Sequence, residues 1–334
     1  MRDAQSDART AAMLETALGE QIMNALADPM VAEIMMNPDG RLWIDRHGAG
    51  RSDTGSELSP HEVERVIRLV ATHVGRDATA SAPIVSAELP LGGQRFEGVL
   101  PPVAPAPCFS IRKPAGRVIG LAEYVRSGVM RLHHADALRT AVECRKNILV
   151  VGGTGSGKTT LANALLAEIA KTGDRLVILE DTRELQSAAA DTVQLRTQPG
   201  SVNLADLVRS TLRLRPDRII VGEVRGPEAL DMLKAWNTGH PGGIATLHAN
   251  SAEAGLFRLE QLIGEGAANV PHDLIAETID TLVFISRRSG VRRVETVASV
   301  NGLTASGYDI APVTPDLQLV LPAFAGAEEE RTSS

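Results

Sequence analysis

The chain of 334 residues carries 34 Lys and Arg against 41 Asp and Glu, a net charge of −7, with 43% apolar and 22% charged residues. That length suffices for two domains with separate cores, and the composition is that of a globular protein. The acidic balance argues against a dedicated nucleic-acid-binding protein, whose phosphate contacts need a basic surplus, although it leaves room for a local basic patch.

In chain order, the polar start MRDAQSDART is followed by no apolar export segment, and no uncharged apolar stretch reaches the roughly 18 residues of a membrane span. Leu14, Leu18, Ile22 and Leu26 recur at helical spacing and predict a helix over 12–27. NPDG at 37–40 reads as a turn, and RLWIDR at 41–46 alternates as a strand closed by Gly48 and Gly50. Ser59, Pro60 and Glu62 make a capping box with proline at the first helical position. The helix they open carries Val63, Val66, Ile67, Val70 and Val74 on one face and stops at Gly75.

Strands are expected around 84–88, 94–100 and 108–112, with the prolines of PPVAPAPC in a rigid loop, because proline cannot sit inside a central strand. The two cysteines, Cys108 and Cys144, stand far apart in no metal-ligand spacing, as suits a reducing cytosol.

After IRKPAGRVIG the texture changes. From about residue 130, apolar runs alternate with helical patterns, the signature of a mostly parallel sheet covered by helices. Strands are predicted near 147–151, 175–180, 192–197, 218–224, 243–248 and 281–286, and helices at 158–170, 203–213, 227–237, 251–263 and 271–279. The division that follows is a smaller N-terminal α/β domain over 1–112, a linker over 113–130, a P-loop domain over 131–318 and a disordered tail over 319–334.

Within ILVVGGTGSGKTTLANALLAEIA lies the pattern G-x-x-x-x-G-K-S/T, with a β-branched strand before it and a helix after it. Gly152, Gly153, Thr154, Gly155, Ser156 and Gly157 would fold the backbone around a phosphate. Their N–H groups would face inward, helped by the partial positive charge of the helix start at Lys158, Thr159 and Thr160. Lys158 would reach the β- and γ-phosphates of a nucleotide, and the Thr159 hydroxyl would ligate Mg²⁺. A P-loop alone does not name a reaction.

In an open parallel sheet, ligands sit at the carboxyl ends of the strands. RLVILED ends in Glu180 and Asp181 with Glu184 close behind, RIIVGE ends in Glu223, and GIATLHAN ends in Thr246, His248 and Asn250. Glu223 would hold Mg²⁺ through its water or orient the attacking water, Glu180 would be a general base for that water, and His248 would sense the γ-phosphate. Blander readings stay open: Glu223 as an ion-pair partner of Arg225, Glu180 and Glu184 as solvated acids, and His248 as a structural residue. Arg225 is expected to belong to a phosphate-facing or subunit-facing arginine set with Arg196, Arg209, Arg213, Arg215 and Arg218 rather than to pair with Glu223. His240 with His248 lacks a third zinc ligand, and His133 and His134 read as surface residues.

GGTGSGKTT, LEDTREL, RPDRIIVGEVRGPEA and GGIATLHANS stand in the order and spacing of the type II/type IV secretion traffic ATPases, and the chain resembles that family over about 10–310. The resemblance identifies them with the Walker A motif, the Asp box, the Walker B motif and the His box. FSIRKP also resembles the family, where N-terminal arginines help hold nucleotide, which points to Arg112 and, second, to Arg95 in QRFEG.

The resemblance implies a RecA-like domain with a mostly parallel sheet, nucleotide bound between the two domains, and a homohexameric ring. It also implies a cytoplasmic motor, peripheral on the inner membrane beside components of a secretion or conjugation machine. With two cysteines the chain lacks the tetracysteine zinc element of the type II branch; it looks most like the conjugal-transfer ATPase of the Trb operon type. A DNA translocase or recombinase, a small-molecule P-loop kinase and a slowly hydrolysing docking platform are the competing functions.

Overall fold

The computed structural model describes residues 4–114, 118–198, 200–288 and 290–315, and builds them around two β-sheets. The first contains β1 (Val31–Met36), β2 (Arg41–Arg46), β3 (Gly50–Glu57), β4 (Ile84–Glu88), β5 (Arg95–Val99) and β6 (Cys108–Arg112), in the order β3-β2-β1-β6-β5-β4. Every neighbouring pair in it is antiparallel. Helices α1 (Ala4–Ala27) and α2 (Pro60–His73) bury Leu14, Leu18, Ile22, Val63, Val66, Ile67 and Val70 against Ile34, Phe96 and Ile111. The capping box forms as predicted: Ser59 Oγ accepts the Glu62 N–H, and the Glu62 carboxylate accepts the Ser59 N–H at 2.8 Å. The first helix is not continuous. Gly19 adopts φ 74°, a left-handed conformation that glycine tolerates, and breaks the helical run there.

The second sheet contains β7 (Ile148–Val151), β8 (Leu176–Glu180), β9 (Thr192–Arg196), β10 (Arg218–Val221), β11 (Ile244–Leu247), β12 (Thr281–Arg288), β13 (Val291–Thr304) and β14 (Gly307–Pro312). Their order is β14-β13-β12-β7-β11-β10-β8-β9, with the strands from β12 to β9 parallel and β13 and β14 added antiparallel at one edge. Side chains alternate across a strand, and here both faces are covered. Leu149, Val151, Val177 and Leu179 join one core with α6 (Leu204–Thr211), α7 (Glu228–Asn237), α8 (Ala252–Gly264) and α9 (His272–Thr278). Ile148, Val150, Leu176 and Ile178 join the other with α3 (Leu121–Arg126), α4 (Leu132–Glu143) and α5 (Lys158–Ile169). Burial on both faces is why these strands read as unbroken apolar runs.

Several expectations change. The strand predicted to run to 224 ends at Val221. Gly222 N–H still bonds to Leu179 O and Val224 N–H to Thr246 O, but the regular ladder has ended. The stretch 113–130, expected as a linker, carries α3, whose Leu121 and Tyr124, with Met130, are buried in the second sheet's core. His134, expected at the surface, is buried, and His133 is half-buried with its ring 4.4 Å away. Burial, with His133 and Arg131 alongside, lowers the His134 imidazole to about 4. The tail expected over 319–334 lies outside the described residues. No helix among the described residues is long and apolar enough to cross a membrane.

Arg218 also departs from expectation. It starts β10, at the end of the strand away from Glu223, and is 1% exposed. Its Nε donates to Asp174 Oδ2 at 2.6 Å and its Nη2 to Val142 O at 3.0 Å. Arg145 pairs with the same carboxylate. Burial pushes the Asp174 carboxyl up, but the Thr172 hydroxyl and the two guanidiniums outweigh it and hold it below its ordinary value. Arg218 therefore ties the sheet to α4 and is no part of a phosphate-facing set. Removing one partner of a buried pair strands the other charge. Asp174→Ala is accordingly expected to lower stability by about 3–5 kcal/mol in urea unfolding, and an unchanged midpoint would contradict this role.

Candidate active site

The strand β7 runs into Gly152, and the loop to Gly157 delivers the chain to α5. A side chain at Gly152 would put its Cβ 2.3 Å from Ile285 O. Gly155 and Gly157 adopt φ of 68° and 103°, where a Cβ is strained. Glycine is thus required by the path of the loop as well as by any ligand. Ser156 Oγ is buried with no hydrogen-bond partner, while Gly153, Thr154 and Gly155 are exposed at the rim. Lys158, Thr159 and Thr160 form the first turn of α5.

Lys158 is buried, and its Nζ donates to Gly152 O at 3.0 Å and Gly153 O at 3.1 Å. Burial lowers its pKa; Glu223 and Glu184 oppose the shift, and Arg112 and Arg225 add to it. The ammonium also lies 3.3 Å from His248 Nδ1. His248 follows directly on β11, and its Nε2 is 2.6 Å from Glu223 Oε1. Burial first, then the Lys158 and Arg225 charges, lower the imidazole's pKa against the pull of Glu223. The ring therefore stands between the Lys158 ammonium and the Glu223 carboxylate.

Glu223 stands two residues beyond β10, and its Oε2 accepts Arg225 Nε at 2.7 Å. Arg225 also approaches Asp181 Oδ2 at 3.4 Å through Nη1. The expectation that Arg225 stands apart from Glu223 is thus overturned. Both residues lie in the short loop between β10 and α7, which brings the guanidinium onto the carboxylate two residues before it.

Glu180 closes β8 and is 4% exposed. Its Oε1 accepts the N–H of Glu184 at 2.9 Å and of Leu185 at 2.8 Å. Burial pushes the carboxyl up to about 7; the two N–H bonds restrain this, and the neighbouring Glu184 and Glu88 carboxylates add to it. Gly222 makes room for it, since a Cβ there would sit 2.9 Å from Glu180 Cγ.

Glu184, placed by the sequence at the same edge but given no role of its own, turns out to be central. Its Oε2 accepts the Thr159 hydroxyl at 3.1 Å, and its Oε1 lies 3.9 Å from Arg95 Nη1. Arg95, Thr159, Glu180, Asp181, Glu184 and Glu223 line one cleft. Arg95 and Arg112 face each other in register on β5 and β6, and Arg112 stands near enough to depress the Lys158 ammonium. From β4, Glu88 pairs with Arg196 and accepts the Arg183 N–H at 3.2 Å. Nothing in LEDTREL distinguishes Glu184 from Asp181 by residue type; only the fold brings one of them to Thr159.

The cleft supplies hydroxyl and carboxylate oxygens, the hard donors that Mg²⁺ takes alongside phosphate and water. Among the described residues no group of three His, Cys, Asp or Glu is arranged to hold a metal by itself. His240 is directed elsewhere, its Nδ1 2.9 Å from Pro216 O.

The family model described as type II/IV secretion system protein matches residues 16–289. A probable conjugal transfer protein TrbB of Sinorhizobium fredii is 50% identical over 312 residues, covering 93% of this chain and 95% of that one. The type IV secretion system protein PtlH of Bordetella pertussis is 37% identical over 314 residues, covering 82% and 92%. A crystal structure of the pilus retraction motor PilT with bound ADP superposes with a TM-score of 0.61 at 20% identity, covering 89% and 83%.

A carboxyl raised to about 7 from an ordinary 4.5 contributes stability that is fully present below 4.5 and is lost as pH rises through 7. Glu180→Gln keeps an oxygen for the two N–H groups and removes the charge. In nucleotide-free protein it is expected to exceed wild type in stability by on the order of 2–3 kcal/mol at about pH 8. The difference should close below about pH 4.5 in urea unfolding. An equal difference at both pH values would contradict a buried, raised carboxyl.

Proposed function

The chain belongs to the type II/IV secretion system protein family, and on that premise we propose that it is an ATPase energising a type IV secretion or conjugative transfer apparatus. The P-loop, the conjugal-transfer and type IV secretion names of its relatives, and the carboxylates gathered at the strand ends support this reading. The proposed architecture is an N-terminal domain over 1–112 and a RecA-like ATPase domain over 131–318, joined by 113–130, whose α3 packs into the core of the second. Nucleotide would lie between them, and six copies would close a ring peripheral to the inner membrane.

The single observation that carries the chemistry is the convergence of Thr159, Glu180 and Glu223 on one cleft from the ends of β7, β8 and β10, with Lys158 tied to Glu223 through His248. Gly152–Thr160 cradle the triphosphate, and Lys158 leaves the loop carbonyls to meet the β- and γ-phosphates. Arg95 and Arg112 approach from the first sheet. Mg²⁺, when bound, would neutralise phosphate charge and orient the triphosphate. Thr159 would be its direct protein ligand, and Glu223, restrained by Arg225 and His248, would hold one of its waters.

Glu180 takes a proton from the attacking water. The water oxygen bonds to the γ-phosphorus as the bond to the bridging oxygen of ADP breaks, and phosphate and ADP leave. A base with pKa near the working pH suits this task. His248, between Glu223 and Lys158, reports the γ-phosphate through them.

Lys158→Ala and Glu223→Gln are each expected to cut Mg²⁺-dependent phosphate release about 100-fold or more, with ADP affinity retained in Glu223→Gln. Normal turnover in Glu223→Gln would remove that residue from the mechanism. Native mass measurement with ATP and Mg²⁺ is expected to give six copies, and a persistent monomer at working concentration would overturn the ring.

A further inference from the structure

The buried residues of α5 beyond its first turn include Leu161, Ala162, Ala164, Leu165, Leu166 and Ile169, the apolar face expected of a helix under a sheet. Asn163 is buried among them, 1% exposed, and an amide there is unfavourable unless both its ends are satisfied. Both are. Nδ2 donates to Glu184 O at 3.3 Å, and Oδ1 accepts the Gln186 N–H at 2.8 Å. The two partners are backbone groups of fixed polarity, so they settle which end of the amide is which.

The segment held in this way, 184–186, is the one that holds Glu180. On one side its Glu184 and Leu185 N–H groups bind Glu180 Oε1; on the other its Glu184 carbonyl and Gln186 N–H are gripped by Asn163. Asn163 lies one turn beyond Thr159, so successive turns of the P-loop helix hold the same residue, Thr159 by its carboxylate and Asn163 by its carbonyl. Leu185, buried in the core, fixes the segment from below.

We propose that Asn163 is a positioning residue for hydrolysis: through the 184–186 segment it registers the Glu180 carboxylate against the P-loop helix that holds the triphosphate. This inference rests on the reading of Glu180 as the group that takes the water's proton. Asn163 touches neither nucleotide nor water itself. Because Glu180 and the P-loop lie on different strands, some element must fix their separation, and the Asn163 amide spans that gap.

The test uses the full-length protein, with phosphate release for kcat and a fluorescent ADP analogue for affinity. Asn163→Ala is expected to lower kcat about 10- to 100-fold, the range for a misplaced reacting group, with ADP affinity within about threefold of wild type. Asn163→Asp keeps an oxygen for the Gln186 N–H but cannot donate to Glu184 O, and is expected to fall between.

In a Glu180→Gln background Asn163→Ala should cost nothing further, since a residue acting only through Glu180 has nothing left to position. Wild-type kcat in Asn163→Ala would overturn the proposal. So would an undiminished further loss in the Glu180→Gln background, or a fall in ADP affinity as large as the fall in kcat. Should Asn163→Ala fail to fold, Asn163→Asp in both backgrounds decides the same question. Wild-type turnover in Glu180→Gln would instead overturn the reading of Glu180, whereas a slow Glu180→Gln beside a normal Asn163→Ala overturns the present inference alone.

Discussion

Burial of β7, β8, β10 and β11 on both faces is the constraint on which the rest of the molecule depends. Ile148 to Val151 and Leu176 to Leu179 are wholly buried, alternate side chains entering the two cores. A strand covered on both sides has no place for an unpaired polar side chain along its length. Functional groups can therefore enter only where the strands stop, and parallel strands all stop at one edge. Glu180, Glu223 and His248 stand at or just past such ends, beside the glycine loop that follows β7. The opposite edge carries a different set, with Arg218 and Asp174 closing the core by a buried ion pair.

At the functional edge, charges of opposite sign are interleaved. Lys158 sees Glu223 across the His248 ring, and Glu223 also meets Arg225, which in turn approaches Asp181. Each carboxylate is held by a cation or by backbone N–H groups, which limits the desolvation cost of gathering acids in one cleft. Glu180 is the exception: burial dominates its two N–H bonds, and its carboxyl titrates near neutrality. A buried acid with a raised pKa and a fixed orientation is what a proton acceptor requires.

The first sheet meets this edge through a few polar contacts. Arg95 reaches Glu184, and Glu88 meets Arg196 and the Arg183 N–H. These contacts fall on the segments following β8 and on β9, so the two sheets touch where the acids of the cleft are set. Interfaces of this polar kind are weak compared with a core and allow relative motion of the parts they join.

Local pattern carried much of this. The capping box at Ser59, the glycine loop into Lys158 and the apolar runs of the parallel strands follow from short-range chemistry: cap hydrogen bonds, positive φ and two-sided burial. The antiparallel strands β13 and β14 were not legible, because their exposed positions dilute the apolar signal that marks a strand. The same holds for Glu184, indistinguishable by type from its acidic neighbours. What the sequence by itself determined was which residues stand at or just past the ends of the parallel strands, since hydrophobic periodicity and turn chemistry act over a few residues. Only the tertiary structure decided who partners whom: Arg225 on Glu223, Glu184 on Thr159, Asn163 on the segment behind Glu180, and His134 inside. Apart from Arg225 on Glu223, which share one loop, those contacts join groups from different strands and helices, and their distances exist only once the sheet order is set.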